Sequence, residues 1–383
     1  MKPNHSRNGH VNLADLPARR RKKKTRKSLI ITNVVTSIVL VFSIIMMSGM
    51  LMLNMNLEDT RTGSEPVESG ATGEPQDEFR DIVVSPHEDV SYILVAGLDE
   101  EETLTDILMV VCFDHGRGTA NILQIPRDTY VGSDVRTGKV NATYGSAREG
   151  ESMINKLIRK INTHFGLPID HYVLLNLSAF RNIIDAVGGV ELNIPERLRV
   201  ADSVSHELYY IGPGLTLLDG QKAEAFIRCR SGQNYKKGDM SRVEAQRTFY
   251  AAFAQKVIDM SLGQMFKIAS SCYNKVNTDM SIGEVLGYAE AAKQLTLDQI
   301  QIHSVPGQGG YFTPEGMRQE LSYYSIHKDE YVEMINQYFM PYGGSITESS
   351  IQIEELHTTK YQSEIDGETS FQDLITAQTQ GAQ

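Results

Sequence analysis

The segment Gln124-Ile125-Pro126-Arg127-Asp128-Thr129-Tyr130-Val131 sets an Arg-Asp pair directly behind an apolar run with the character of a buried strand. A second apolar run, Ala225 to Ile227, leads into Arg228-Cys229-Arg230, and Asp99 and Asp106 bracket a short loop before a third, Ile107 to Phe113. Planar guanidinium forks match phosphate oxygens with two hydrogen bonds at once. Arg127, Arg228, Arg230 and Arg242 are therefore candidates for holding a phosphorylated ligand. A hard divalent cation such as Mg2+ takes carboxylate oxygen, which makes Asp99 and Asp106 the candidate metal ligands. Together these residue types suit a site that holds a multiply charged ligand together with a metal.

Each residue also has a plainer reading. Arg127 and Asp128 could pair with each other in a surface turn. Arg228 and Arg230, two apart, would face oppositely on a strand and reach one site only from an irregular helix end. Asp239 could cap a helix starting near Ser241. What weighs for a site is the recurrence of Arg and Asp beside apolar runs, because burying unpaired charge is costly.

The elements that must position these groups follow from periodicity. Short apolar runs at Val90 to Gly97, Ile107 to Phe113 and Thr119 to Ile125 read as strands, the last two joined by a hairpin turn through Asp114 to Gly118. Glu151 to Phe165 has the apolar spacing of an amphipathic helix. His171 to Asn176 reads as a strand, Leu177 to Val187 as a helix stopped by Gly188-Gly189, and Val190 to Ile194 as a strand. Helices are expected over Gln221 to Phe226 behind the capping Asp219, Ser241 to Leu262, Ile282 to Leu295 and Lys328 to Gln337, with a strand near Gln299 to Ser304. This alternation predicts an α/β fold, a central mixed β-sheet flanked by helices on both faces.

The first 28 residues carry ten Lys and Arg against a single acid, Asp15, and an uncharged apolar run follows from Leu29 to Leu53. As a helix that run would span about 37 Å, enough to cross a hydrocarbon core of about 30 Å. The expected organisation is a basic cytoplasmic segment (1–28), a single transmembrane signal anchor (29–53), an extracytoplasmic linker (54–89) and a domain (90–342) outside the cell membrane. That domain has core motifs over 90–260 and a C-terminal helical extension over 261–342. Residues 343–383, rich in Ser, Thr, Gln, Glu and Gly, read as a disordered tail.

The whole chain carries a formal net charge of −11, so the part beyond the basic segment is more acidic still. A surface of that sign does not attract polyanions through its general field; nucleic acid is not an expected partner, and cations for a phosphate ligand must be local. Cys112, Cys229 and Cys272 show no zinc spacing and read as buried free thiols. No His-Glu-x-x-His or Gly-x-Ser-x-Gly pattern is present, and Gly307-Gln308-Gly309-Gly310 lacks the lysine of a P-loop.

Nine segments in order resemble the LytR-CpsA-Psr family: AGLD at 96 to 99, TDILMV at 105 to 110, IPRDTYV at 125 to 131, KVNATY at 139 to 144, IDHYVLLN at 169 to 176, IDAVGGVELNIP at 184 to 195, GLTLLDGQKA at 214 to 223, RCR at 228 to 230 and GDMSRVEAQR at 238 to 247. The resemblance implies a Mg2+-dependent, membrane-anchored enzyme that transfers a glycopolymer from a polyprenyl-pyrophosphate carrier to peptidoglycan, as in teichoic acid or capsule attachment in a Gram-positive type of cell. It implies Asp99 and Asp106 as metal ligands. Arg127, Asp128, Arg228, Arg230, Asp239 and Arg242 are implied as catalytic residues, and Lys139, Asn141, Tyr144 and Gln246 as substrate-binding ones. It also implies a hydrophobic tunnel for the polyprenyl chain, with Ile183, Ile184 and Val187 as candidate lining.

The chain departs from the family pattern twice. Leu104 stands where the family commonly has an arginine two positions before the second metal aspartate, and Ala245 stands before Gln246 where it has another. Arg247, one place late, is turned by about 100° on a helix and points elsewhere. The alternative expectation is a non-catalytic polyprenyl-phosphate-binding or cell-envelope regulatory member.

Overall fold

The computed structural model describes residues 89–380 apart from 202–207, 230–238, 273–274, 282–283, 285–287, 289–294, 314–319, 357–360 and 365–367. The expected anchor at 29–53 and nearly all of the linker lie outside the described residues, as does most of the helix expected over 282–295. Among the described residues no helix is long and apolar enough to cross a membrane.

Strand β1, Val90–Leu98, is apolar along nearly its whole length because both its faces are covered. Tyr92, Leu94, Ala96 and Leu98 enter one core, Ile93 and Val95 the other. It pairs antiparallel with β2, Thr105–Asp114, which turns into β3, Thr119–Gln124, as the hairpin signal predicts. Asp114 Oδ1 accepts a hydrogen bond from Arg117 N at 2.8 Å and closes that turn. Helix α1, Met153–Phe165, starts at an Ser152 N-cap and buries Leu157, Ile161 and Phe165. Strand β4, His171–Leu175, runs parallel to β1.

Helix α2, Leu177–Ala186, is capped by Asn176, whose side chain accepts from Ala179 N at 2.8 Å. Four short strands follow, β5 (Val190–Ile194), β6 (Leu198–Ala201), β7 (Leu208–Ile211) and β8 (Gly214–Leu218), paired antiparallel as β5 with β8 and β6 with β7. Asp219 caps helix α3, Gly220–Arg228, accepting from Lys222 N at 2.8 Å. A Cβ on Gly220 would stand 2.4 Å from the carbonyl oxygen of Arg181, so only glycine lets α3 start this close to α2. Helices α4, Asp239–Ile258, and α5, Leu262–Cys272, complete this half.

The stretch 261–342, expected to be a helical extension, is instead mixed: strands stand among helices α5 and α6. It contains β9 (Asn277–Thr278), β10 (Ile300–Ser304), β11 (Gly307–Phe312) and β12 (Leu321–Ile326) before helix α6, Lys328–Met334, which runs on as a π-helix to Phe339. Strand β10 pairs parallel with β3 and is integral to the central sheet.

The expectation of a disordered tail is also overturned. Beyond residue 343 lie β13, Tyr361–Glu364, β14, Glu368–Ser370, and helix α7, Phe371–Gln380. Average polarity hid a few large apolar side chains that are enough to dock the segment: Ile346, Ile351 and Ile353 are buried, and Phe371 is fully so.

The seven-stranded mixed sheet has the order β14-β10-β3-β2-β1-β4-β9, and a three-stranded sheet has the order β12-β11-β13. One face of the large sheet packs on α2, α4, α5 and α7; the other packs on α1, α6 and the small sheet. All three cysteines are buried and free.

Candidate active site

The Arg127-Asp128 turn follows β3 and is sewn to its surroundings through the backbone. Tyr324 N donates to Asp128 O at 2.9 Å, Tyr130 N to Tyr324 O at 3.0 Å, and Asn141 N to Arg127 O at 3.2 Å. Thr129 Oγ1 donates to Pro126 O at 2.6 Å. The turn is thus rigid and aims its side chains. Arg127 Nε lies 3.8 Å from its neighbour Asp128, but Nη1 donates across the sheet edge to Asp106 Oδ1 at 2.6 Å. Lys139 Nζ holds Asp128 Oδ1 at 3.1 Å and lies over the Tyr323 ring.

Arg228 reaches the same carboxylate from the last turn of α3, its Nε 3.6 Å from Asp106 Oδ2. Ala225 to Arg228 is a helix end, not a strand, and this lets Arg228 approach from the side opposite to Arg127. Arg228 Nη1 also donates to Glu224 Oε1 at 2.8 Å, and Glu224 Oε2 accepts from Arg181 Nε of α2. Glu224 and Arg181 escaped the sequence reading. The available signal was the i,i+4 spacing of Glu224 and Arg228 on a helix.

Asp99 begins the acidic loop between β1 and β2. Its Oδ1 accepts from the backbone N–H groups of Thr103 and Leu104 at 2.9 and 3.0 Å, which folds the loop over the carboxylate. Gly145 presses against that loop so closely that a Cβ would stand 2.4 Å from Thr103 O. Asn141 and Tyr144 are buried in the segment behind it, and burial, then the nearby Glu102, raises the Tyr144 hydroxyl's pKa. Asn176 Nδ2 donates to Glu102 Oε1 at 2.9 Å and ties the loop to the start of α2. Leu104 packs on the apolar core and brings no charge to the site.

Beside Asp106 and Arg228 opens a cavity, partly continuous with solvent, between the sheet and helices α2 and α4. Its walls are apolar: Val95, Met109 and Val111 from the sheet, Phe180, Ile183 and Ile184 from α2, Phe249 and Phe253 from α4, and Phe371 from α7. Val187, expected as lining, is buried in the adjoining core instead. The polar groups on the lining are Asp106, Asn176, Arg228, Arg242, Gln246 and Tyr250. Arg242 and Gln246 are nearly fully buried on one face of α4. Gln246 Nε2 donates to Ile227 O at 3.0 Å, and Gln246 Oε1 accepts from Gln124 Nε2 at 3.1 Å, tying α4 to α3 and β3. Burial raises the Tyr250 hydroxyl's pKa, against the opposing pull of Arg242.

Arg247 does not line the cavity. Its Nε donates to Gln124 Oε1 at 3.1 Å and its Nη2 to Ser304 Oγ on β10, where burial lowers the guanidinium's pKa to about 10. Arg230 and the side chain of Asp239 lie outside the described residues. The structure thus brings together Arg127, Asp128, Lys139, Asp106, Arg228, Arg242 and Gln246, with Asp99, Asn141 and Tyr144 in the flanking loops.

Among the described residues no group of three or more His, Cys, Asp or Glu is arranged to hold a metal. The donor chemistry at Asp106 and Asp99 nonetheless suits Mg2+, which takes one or two carboxylates and completes its shell with substrate phosphates and water. Both oxygens of Asp106 face guanidinium groups.

A LytR_cpsA_psr family model matches residues 53–339. Among curated relatives, the polyisoprenyl-teichoic acid–peptidoglycan teichoic acid transferase TagV of Bacillus subtilis (strain 168) is 28% identical over 236 residues, which cover 58% of this chain and 58% of that protein. The TagU transferase of Oceanobacillus iheyensis is 29% identical over 225 residues, 56% of this chain and 68% of that one. The crystal structure of B. subtilis TagV superposes with a TM-score of 0.56 at 24% identity, covering 67% of this chain and 98% of that chain. A Streptococcus agalactiae protein superposes at 0.53 with 17% identity over 71% and 92% of the two chains. At these identities the superpositions speak to the fold.

Proposed function

The chain belongs to the LytR-CpsA-Psr family, and from that premise we propose that it is a membrane-anchored extracytoplasmic phosphotransferase. Its donor is a glycopolymer on a polyprenyl-pyrophosphate carrier, and its acceptor is a hydroxyl of peptidoglycan. The observation that carries the reading is the convergence of Arg127 and Arg228 on Asp106 at the rim of an apolar cavity. Such a site suits a ligand with a doubly charged head and a long apolar tail. The names of the curated relatives favour a teichoic acid type of polymer.

In this reading the acceptor oxygen bonds to the phosphorus that carries the glycan. The bond from that phosphorus to the bridging oxygen breaks, polyprenyl monophosphate departs with the bonding electron pair, and the hydroxyl proton passes to solvent water. Arg127 and Arg228 leave Asp106 to clasp the diphosphate oxygens, and Arg242 faces the same ligand from α4. Asp128, held by Lys139, keeps the Arg127 turn in place. The apolar walls exclude water from the tail and strengthen every charge interaction at the rim. Asp99 and Asp106 would hold Mg2+, which supplies neutralisation of the charge on the departing phosphate.

A non-catalytic lipid-binding role is the second reading, and Leu104 and Ala245 favour it because two cations of the family pattern are missing. The test is incubation of the purified full-length chain with a short-chain lipid diphosphate glycan, Mg2+ and wall oligosaccharide. Mass spectrometry should find the joined product, and lipid binding without product would favour the second reading. For the orientation, protease added to intact cells should remove everything beyond the linker and spare about the first 50 residues, the segment the span would shield.

A further inference from the structure

Glu224 stands where packing alone does not ask for a carboxylate. It is 2% exposed on α3 between the buried Ala223 and Ala225, and an apolar side chain could occupy the same place without the cost of desolvating an ion. Its oxygens are divided between two helices: Oε1 accepts from Arg228 Nη1 at 2.8 Å, and Oε2 accepts from Arg181 Nε of α2. The tight approach of α3 to α2 at Gly220 holds that three-residue arrangement together.

We infer that Glu224 is the positioning residue for Arg228, selecting which edge of its guanidinium faces the ligand. The inference rests on the reading of the site as one for a diphosphate. An arginine on the last turn of a helix is otherwise free to sample many rotamers. Anchored at Nη1, Arg228 keeps its Nε turned toward Asp106, and the guanidinium edge that carries Nε is a two-pronged match for a phosphate. Arg181 balances the charge of Glu224, so that the carboxylate holds Arg228 without carrying a bare negative charge to a polyanionic ligand. Glu224 touches no ligand itself; it acts only through Arg228.

The test is calorimetric binding of inorganic pyrophosphate in Mg2+ buffer to the detergent-solubilised full-length chain. Glu224→Gln and Arg228→Gln should each weaken binding about tenfold, the scale of one charge-assisted hydrogen bond. The double variant should bind no more weakly than Arg228→Gln alone, because the two residues act as a unit. Wild-type affinity in Glu224→Gln, or losses that multiply independently, overturns the inference. Should Glu224→Gln fail to fold, the pair Arg181→Met with Glu224→Met removes both buried charges together. That variant should show the same tenfold loss, and wild-type affinity there is equally fatal. A wild-type chain that binds no pyrophosphate would refute the diphosphate reading itself. The Arg228 Nε–H signal in NMR then decides the role of Glu224: it should be protected from exchange in the wild type and lose that protection in Glu224→Gln, and equal protection in both overturns the inference.

Discussion

Arg127 and Arg228, far apart in sequence and carried on different elements, face opposite oxygens of the single carboxylate of Asp106, at 2.6 and 3.6 Å. Asp106 thus keeps two like charges side by side at the cavity rim; on the proposed function it would give them up to the diphosphate.

Replacing Arg127 or Arg228 with Lys keeps the charge and loses the fork. Turnover in the lipid diphosphate assay should fall about ten- to a hundredfold, the value of one charge-assisted hydrogen bond expressed in the transition state. Thermal melting of the Arg127→Lys protein should stay near that of the wild type, since the lysine keeps a cation beside Asp106. Wild-type turnover in both variants would make the two arginines structural.

Asp106→Asn removes the shared anion and one proposed metal ligand. Product formation should drop sharply, while pyrophosphate binding, read by calorimetry, should persist because the guanidinium groups remain. Chelation with EDTA should abolish turnover of the wild-type enzyme, and full activity in EDTA would eliminate the metal from the mechanism.

Phe371→Ala should destabilise the fold by about 3–5 kcal/mol, as the loss of a fully buried aromatic ring does. Denaturant unfolding measures this. The same substitution enlarges the cavity that Phe371 lines, so the affinity for a polyprenyl phosphate should change with it.

His164 offers a pH test. It is buried beside Phe165, and desolvation, with Lys160 adding to it, lowers its pKa from 6.5 to about 3. The native state therefore binds fewer protons at this site than the unfolded chain between those two values. Its contribution to stability is complete above about pH 6.5 and is lost progressively as the pH falls toward 3. His164→Gln should flatten the pH dependence of unfolding in that window, and an unchanged slope would count against the buried neutral imidazole.

Much of the fold is written locally. The unbroken apolar run of β1, the turn residues after β2, and the capping Asn176 and Asp219 all act within a few residues of themselves, and each element appears where its signal lies. What local pattern could not supply is partnership. Strand β10 pairs with β3 across most of the domain, and Arg181 meets Glu224 only after two helices dock. The tail shows a different limit. Its mean polarity suits disorder, yet Ser370 and Asp373 form a reciprocal cap ahead of Phe371, Leu374 and Ile375, an apolar stripe at helical spacing. That signal was present and was outweighed by averaging. At the site, residue types singled out Arg127, Arg228 and Asp106, which the structure brings together, whereas Arg247 was diverted to Gln124 and Ser304 by its place on the helix.

Helix α7 places Phe371 in the cavity wall, and strand β14 closes one edge of the central sheet. The carboxyl-terminal part of the domain is therefore a structural checkpoint for the rest. A chain still emerging from the ribosome, or one clipped ahead of β14, carries all the charged groups of the rim but an incomplete enclosure behind them. On the proposed function, shelter for a lipid tail would be completed late in the life of each molecule, and proteolysis at a segment remote from the arginines would withdraw it.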